Sequence, residues 1–139
     1  MKLHIKELRE LKIISKELGE NNRFIQATGG NTSFKTNKTL IVKASGKDLS
    51  KALDEEIFVE IERKDNFINL LLHKPKEAII FNKIGETSLR ESIETPFHLL
   101  MPHKWVVHTH CLDIIARTLQ KKSIEKLSYL LMSLDLRLQ

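Results

Sequence analysis

Two histidines, His108 and His110, lie two positions apart in the β-branched run WVVHTH of residues 105–110. Successive side chains of a β-strand point to opposite faces, so both imidazoles would project from the same face of a strand. Imidazole nitrogens are common ligands of divalent metals, and two of them on one face could hold one ion. The alternative is that two polar rings line a solvated face of a sheet.

Two polar segments upstream have the composition of anion-binding loops. Residues 28–33, with the sequence TGGNTS, offer unhindered backbone amides and short side-chain donors, which can form a nest for phosphate oxygens. The alternative for this segment is a simple glycine turn. Residues 44–47, with the sequence ASGK, are not a Walker loop, because Asp48 stands where a serine or threonine would hold magnesium.

A carboxylate, Glu94, precedes the two histidines in the segment SIET of residues 92–95. A carboxylate in the first turn of a helix usually complements the helix dipole. If Glu94 instead faces His108 and His110, it can move a proton on a metal-bound substrate. His98 lies four residues after Glu94, on the same helical face, and is equally compatible with a buried, hydrogen-bonded histidine.

The elements that must position these residues can be predicted from hydrophobic periodicity. Leucines and isoleucines at helical spacing predict an amphipathic helix over residues 3–19, which Gly19 and two asparagines end. Residues 31–35 and 39–44 predict a β-hairpin with a polar turn. The other predicted strands are 57–61, 67–72 and 105–110, and the other predicted helices are 75–83, 92–100 and 111–120. Strands interleaved with helices predict a mixed α/β layered domain.

Length and composition limit the class of protein. A chain of 139 residues favours one domain, residues 1–139, with a single core. The net charge is +5, and the lysines that carry it are scattered along the chain. Aromatic residues make up only 6% of the chain, which together with the scattered charge disfavours nucleic-acid binding. A basic surface suits small anionic substrates such as sugar phosphates. No run approaches the roughly 18 apolar residues of a membrane span, and no signal peptide is visible. The one cysteine, Cys111, fits a reducing compartment, so we expect a cytoplasmic protein without a membrane partner.

The order and spacing of four segments, G-G-N-T-S, A-S-G-K-D, S-x-E-T and H-T-H, resemble those of the class II aldolase/adducin family. Members include the metal-dependent sugar-phosphate aldolases typified by fuculose-phosphate and rhamnulose-phosphate aldolase. The resemblance extends from the first helix to about Leu119. It implies a three-layer α/β/α sandwich around a mainly antiparallel sheet. It also implies a homo-oligomer, usually a tetramer, with active sites at subunit boundaries.

The resemblance also implies roles for individual residues. The paired histidines, His108 and His110, would be ligands of Zn2+ or another divalent metal, and Glu94 would be the catalytic acid/base. The implied reaction is retro-aldol cleavage of a sugar phosphate through a zinc-stabilised enediolate. The residues implied to bind the substrate phosphate are Gly30, Asn31, Ser33, Ser45, Gly46 and Ser92.

Two features depart from the family pattern. Ile93 stands where the aldolases often carry a second hydroxyl residue, which makes the phosphate prediction weaker than the metal prediction; Lys43 or Lys47 could supply charge instead. Family catalytic domains also run well beyond 139 residues and take a third histidine ligand from that later part. We therefore expect a chain that is truncated at its C-terminus and lacks this third ligand.

Two functional classes follow from these observations. The first is a metal-dependent aldolase, or a sibling sugar-phosphate epimerase or dehydratase. The second is a non-catalytic adducin-like or degenerate domain that acts as an oligomerising or binding module, which the missing ligand favours. His98, His103 or Cys111 could supply a third ligand, although Cys111 directly follows His110 and should point to the opposite face of the strand. For the truncated chain we expect an oligomer with weakened zinc binding and aldol cleavage near background.

Overall fold

The structure, a computed structural model, describes residues 5–63 and 80–120 of the chain. Within these ranges, no helix combines the length and the apolar character needed to cross a membrane. The elements in chain order are helix α1 (Ile5–Gly19), strands β1 (Asn31–Lys35) and β2 (Thr39–Lys43), a 3-10 helix (Leu49–Lys51), strand β3 (Phe58–Glu62), helix α2 (Thr95–Leu100), strand β4 (Trp105–His108) and helix α3 (Leu112–Thr118).

The four strands form one sheet in the order β3-β2-β1-β4, and every neighbouring pair is antiparallel. The hairpin turn between β1 and β2 is closed by Thr36, whose hydroxyl oxygen accepts from the backbone N–H groups of Lys38 and Thr39 at 3.1 and 2.8 Å. Strand β4 returns from the end of the chain to pair with β1, and this register sets Asn31 opposite His108. The glycine loop therefore leads directly to the strand that lies beside the first histidine.

One face of the sheet packs against α1 and the 3-10 helix. Phe34, at the centre of this face, is fully buried, and its ring centroid lies 5.1 Å from that of Trp105 on β4. Gly19 permits the close approach of α1, because a Cβ at this position would lie 2.2 Å from the backbone nitrogen of Ser50. The buried residues that complete this core are Leu11, Ile25, Ile41, Leu49, Ala52, Ile57 and Phe58.

The opposite face of the sheet packs against α2 and the segment that precedes it. Leu99 of α2 contributes to this second core, together with Phe81 and Leu89. The sheet residues in contact with them are Leu40, Val42, Ala44, Val59 and Ile61. Helix, antiparallel sheet and helix thus form the layers that the sequence predicts, and the predicted fold class is confirmed.

Strand β1 carries polar side chains on the face that α2 covers. Asn31, Ser33 and Lys35 alternate with Thr32 and Phe34, and all five residues are buried. The Lys35 ammonium donates to the carbonyl oxygens of His98 and Met101 at the C-terminal end of α2. Since the last carbonyls of a helix lack partners within the helix, this lysine stabilises the end of α2.

Several element boundaries differ from the sequence-based expectations. Strand β4 ends at His108, not at residue 110, because the backbone N–H of His110 leaves the sheet and donates to the Phe24 carbonyl at 2.8 Å. Pro96 lies in the first turn of α2 as expected, and α2 begins at Thr95. Helix α3 is shorter at both ends than the helix predicted for residues 111–120.

The helix predicted for residues 75–83 is wrong where the structure describes it. Residues 80–83 are not helical, and Lys83 instead forms an antiparallel bridge with Ile61 of β3. The backbone groups at the edge of β3 need partners, and the bonds from Glu62 N to Asn82 O (2.9 Å) and from Ile84 N to Glu60 O (2.8 Å) supply them. The predicted strand 67–72, residues 75–79 and residues 121–139 lie outside the described residues.

Candidate functional site

Glu94, His108 and His110 come together at one end of the sheet. One potential ligand atom from each lies within 4.8 Å of the other two. The Nδ1 atom of His108 lies 2.9 Å from Oε1 of Glu94, and the two imidazole centroids are 4.9 Å apart. The expected convergence of these three side chains is therefore present, while their roles as metal ligands and acid/base stay predictions. His98, His103 and Cys111 are outside this group within the described part of the chain.

His110 is held in place by the segment that precedes β1. Its backbone N–H donates to the carbonyl of Phe24, and the N–H of Leu112 donates to the carbonyl of Arg23 at 2.9 Å. The Arg23 guanidinium also pairs with Asp113 at 2.6 Å. These contacts fasten the chain after β4 to the chain before β1, so His110 stays close to His108 although it lies beyond the strand.

Two consecutive glycines make room for the histidines. At Gly29, a Cβ would lie 2.8 Å from Nδ1 of His110, so a side chain there would displace the imidazole. Gly30 has φ = +67°, and a Cβ there would lie 2.1 Å from Cδ1 of Ile25 and 3.0 Å from the carbonyl oxygen of His108. The space for the side chain at 110 thus depends on the absence of a side chain at 29.

Replacing Gly29 by alanine is expected to lower zinc affinity about tenfold, since displaced ligands typically weaken metal sites by that order. The Cβ would also lie 2.9 Å from the backbone carbonyl oxygen of Gln26, so the free energy of unfolding should fall by about 1–3 kcal/mol, the usual cost of overpacking. Gly46→Ala is the control: it has φ = +71° and open space around it, so it should cost stability but leave zinc affinity unchanged. Equal zinc affinity of Gly29→Ala and wild type in a calorimetric titration would contradict this role.

Glu94 is a carboxylate at neutral pH. Burial acts to raise the pKa of its carboxyl group, but the hydrogen bond and the electrostatic interaction with His108 outweigh the effect. The net pKa therefore lies below the ordinary value for glutamate. An ionised carboxylate beside two imidazoles can bind a cation or accept a proton.

The two glycine-containing loops lie side by side because one buried lysine joins them. The Lys43 ammonium, at the end of β2, donates to the carbonyls of Thr28 and Lys47 at 2.8 and 2.7 Å. Burial lowers the pKa of Lys43, and the negative charge of Glu94 acts against that shift, which places the ammonium in the field of the cluster. The second loop also pairs with the segment before α2, since the Ser45 N–H donates to the Arg90 carbonyl at 2.8 Å.

The residues predicted to bind phosphate lie in different environments. Gly30 is buried in its turn, whereas Ser45 is partly exposed and Gly46 is exposed at the tip of its loop. Ser33 is fully buried, and its hydroxyl is hydrogen-bonded to Nδ1 of His98 at 2.7 Å. The Ser92 hydroxyl accepts from the N–H of Glu94 at 3.2 Å, which fixes the backbone before α2. Their role in phosphate binding stays a prediction.

Four buried polar atoms near Glu94 have no hydrogen-bond partner among the described residues: Nδ2 and Oδ1 of Asn31, Oγ1 of Thr95 and Nε2 of His98. Nearly all buried polar groups in folded proteins are hydrogen-bonded to protein or to ordered water. Ordered water or a ligand can satisfy such atoms. Thr95 belongs to the S-x-E-T segment, but no role was predicted for it, and Lys43 was predicted only as a compensating charge.

A cavity of about 370 Å³ opens beside the cluster, within the size range of small-molecule sites. Its polar lining comes from Glu94, His98, His108 and Thr109. Its apolar lining comes from Phe97, Met101, Val106 and Val107. Glu94, the predicted acid/base, and His108, one of the two predicted metal ligands, therefore line the same cavity.

The stability of the protein is expected to depend on the protonation of His98. Burial lowers the pKa of this imidazole from 6.5 to about 4, because a proton on it would charge a ring whose Nε2 is buried without a partner. The unfolded chain takes up that proton near pH 6.5, so the free energy of unfolding should fall as the pH drops from 6.5 towards 4. The expected loss is up to about 3 kcal/mol.

Urea denaturation at pH 7 and pH 4.5 measures this dependence. In His98→Gln, the part of the pH dependence that belongs to His98 should disappear, whereas the exposed His103→Gln should behave as wild type. An identical pH dependence in wild type and His98→Gln would show that another group is responsible.

Comparisons with known proteins agree with the fold. Residues 9–137 match the family described as the class II aldolase and adducin N-terminal domain. The solved N-terminal class II aldolase domain of a conserved protein from Thermoplasma acidophilum superposes with a TM-score of 0.70 at 23% identity. The alignment covers 90% of this chain and 64% of that one, so this chain spans less than two thirds of the length of its structural neighbour. No curated protein matches the chain.

Proposed function

The chain belongs to the class II aldolase and adducin N-terminal domain family, and from this membership we propose that it is a metal-dependent sugar-phosphate aldolase-like protein. The observation that carries the proposal is the convergence of Glu94, His108 and His110 within 4.8 Å. Two imidazoles and a carboxylate are a donor set that catalytic zinc sites use while leaving one position open. His108 and His110 would hold the ion, and Glu94 lies close enough either to complete the ligand set or to act on a substrate bound to the ion.

The residues of the cluster fit Zn2+ or another divalent metal. Gly29 leaves the space that the His110 imidazole occupies, and Glu94 is ionised, as a ligand must be. When bound, such an ion polarises the carbonyl and hydroxyl groups of a sugar phosphate. The protein holds the donors in place through β4, through the Phe24–His110 backbone bond and through the turn before α2.

Glu94 is the group best placed to move the proton in a retro-aldol reaction. Cleavage requires a base to take the proton from the substrate hydroxyl as the carbon–carbon bond breaks, and an acid to return a proton to the carbon that keeps the electron pair. The Glu94 carboxylate faces the cavity and is hydrogen-bonded to His108, which orients it. Its lowered pKa favours the base form before the bond breaks.

The substrate phosphate is proposed to bind beside the two loops that Lys43 joins. The ammonium provides positive charge near Glu94, and the buried side-chain amide of Asn31 offers both a donor and an acceptor. Ser45 and Gly46 lie in the second loop, and Ser92 directly follows Glu91, which pairs with Ala44 at the start of that loop. Sugar phosphates are the substrate class that this arrangement supports best.

Two alternatives remain within the same family. A sibling activity, epimerase or dehydratase, would use the same donors and the same carboxylate. A non-catalytic, adducin-like binding module would keep the fold without turnover. The proposed homo-oligomer is carried over from the family resemblance, and the proposed cytoplasmic location from the single cysteine and the absence of an apolar signal-peptide core in the sequence.

The test is cleavage of ketose phosphates by the zinc-loaded protein, followed through the triose phosphate product. Metal-dependent cleavage that falls at least about 100-fold in Glu94→Gln is expected for an aldolase. Glu86→Gln, which removes an exposed carboxylate, is the matched control and should retain wild-type activity. Tight binding of zinc and of a ketose phosphate without turnover would support the binding module instead.

A further inference from the structure

A second cavity, of about 410 Å³, lies at the other end of the sheet. Asn31, the first residue of β1, pairs with His108, whereas Lys35, the last residue of β1, lines this second cavity. At about 3.3 Å per residue, the four steps between Asn31 and Lys35 separate the two places by about 13 Å. The second cavity is therefore distinct from the metal cluster and from the loops that Lys43 joins.

Cationic side chains dominate the lining of the second cavity. Lys35, Arg63 and Lys104 contribute three positive charges, and Glu7 of α1 contributes one negative charge, so the lining carries a net charge of +2. Lys104 lies 3.6 Å from the Glu7 carboxylate, which partly neutralises it. Within the described residues, Lys35 and Arg63 bond to backbone carbonyls rather than to carboxylates.

The two unneutralised cations are held near one another. The Lys35 ammonium is anchored to the end of α2, and the Arg63 guanidinium donates to the carbonyl of Thr36 in the hairpin turn. Burial lowers the pKa of Lys35, and the positive charge of Arg63 lowers it further, so the two groups repel each other. A guanidinium has five N–H donors, and the bond to Thr36 is the one that Arg63 makes among the described residues, which leaves donors for a ligand.

We propose that this cavity is a binding site for a small molecule that carries a phosphate group. A phosphate monoester has a charge between −1.5 and −2 near neutral pH, which complements a lining of +2 and relieves the repulsion between Lys35 and Arg63. Arginine binds phosphate oxygens in a forked geometry, and the exposed side-chain amide of Asn37 adds a neutral donor to the lining. A volume of about 410 Å³ suits a metabolite rather than a macromolecule.

Titration of the full chain with inorganic phosphate, at constant ionic strength, tests the proposal by two-dimensional NMR of the backbone amides. Phosphate should shift the amide signals of Thr36, Asn37 and Lys104. Arg63→Gln and Lys104→Gln should each weaken phosphate binding at these signals, by about tenfold for Arg63→Gln because a hydrogen bond between charged groups is lost. Lys51→Gln removes an exposed charge away from the cavity and should bind as wild type.

The outcomes separate this site from the loops near the metal cluster. Shifts confined to Gly30, Ser45 and Gly46 would overturn the proposal, because the phosphate would then bind only beside Lys43. Equal shifts with chloride would also overturn it, since they would report ionic strength alone. Circular dichroism shows whether Arg63→Gln disturbs the fold. If it does, Lys104→Gln is the variant that tests the proposal, and unchanged phosphate binding in Lys104→Gln would contradict a phosphate site in the second cavity.

Discussion

His108→Ala is expected to lower the affinity of the protein for zinc by at least about 100-fold, because changing a residue that only orients a metal ligand typically costs 10- to 100-fold, and this change removes a proposed ligand itself. The same loss is expected for His110→Ala, since each histidine supplies one of the three donors that lie within 4.8 Å of one another. With two donors left, the ion would have to complete its coordination with water. Calorimetric titration with Zn2+ and metal analysis of the purified variants measure the effect.

The control for this prediction is His103→Ala, which removes an exposed imidazole that is outside the cluster. The His108 side chain is 44% exposed, so His108→Ala should change the free energy of unfolding by less than about 1 kcal/mol, and a loss of zinc would not reflect unfolding. Glu94→Gln separates two roles of the carboxylate. Zinc affinity should fall if Glu94 is a ligand and should persist if it acts only as acid/base. Wild-type affinity in both histidine variants would exclude this metal site.

The convergence of the two histidines could be predicted from the sequence, but its cause could not. Alternation along a strand explains why positions 108 and 110 would share a face. In the structure the strand ends at His108, and His110 is placed instead by its bond to the Phe24 carbonyl, more than eighty residues away in sequence. Local sequence patterns contain no information about such a long-range hydrogen bond. The prediction that His108 and His110 lie together was therefore right, but strand alternation explains only the position of His108.

The same distinction applies to the fold. The β1–β2 hairpin was predictable because a polar turn and two alternating strands are neighbours in sequence. The position of β4 beside β1 depends on long-range pairing, and only this pairing explains why Asn31 faces His108. The wrong helix at residues 80–83 shows the converse, because the hydrogen-bonding needs of the β3 edge overrode a local helical pattern.

Buried lysines were the least predictable part of the site. Lys35 and Lys43 each end a strand, and lysine at a strand end usually reaches solvent. Here each ammonium donates to two backbone carbonyls, and both residues are almost fully buried. Lys35 thereby stabilises the end of α2 and Lys43 joins the two loops, so groups that a hydrophobic pattern treats as surface hold buried backbone segments together.

Phe34→Ala is expected to lower the free energy of unfolding by about 3–5 kcal/mol. Phe34 is fully buried at the centre of β1, with the Trp105 ring at a centroid distance of 5.1 Å and α1 above it. Alanine would leave a cavity that the antiparallel strands on both sides of β1 cannot close. Because domains of this kind are stable by about 5–15 kcal/mol, the variant should lose a large share of its stability. Urea denaturation monitored by circular dichroism gives the difference.

Phe97→Ala is the matched control, since it deletes the same side chain at a position that is 66% exposed and lines the cavity beside Glu94. Its free energy of unfolding should stay within about 1 kcal/mol of wild type. The two variants should also differ in zinc binding: Phe34→Ala should lose it together with the fold, because β1 supports β4 and hence His108, whereas Phe97→Ala should keep it. Equal stability of the two variants would mean that β1 does not form the centre of the core. If Phe34→Ala is stable and binds zinc as wild type does, the metal cluster does not depend on the packing of this strand.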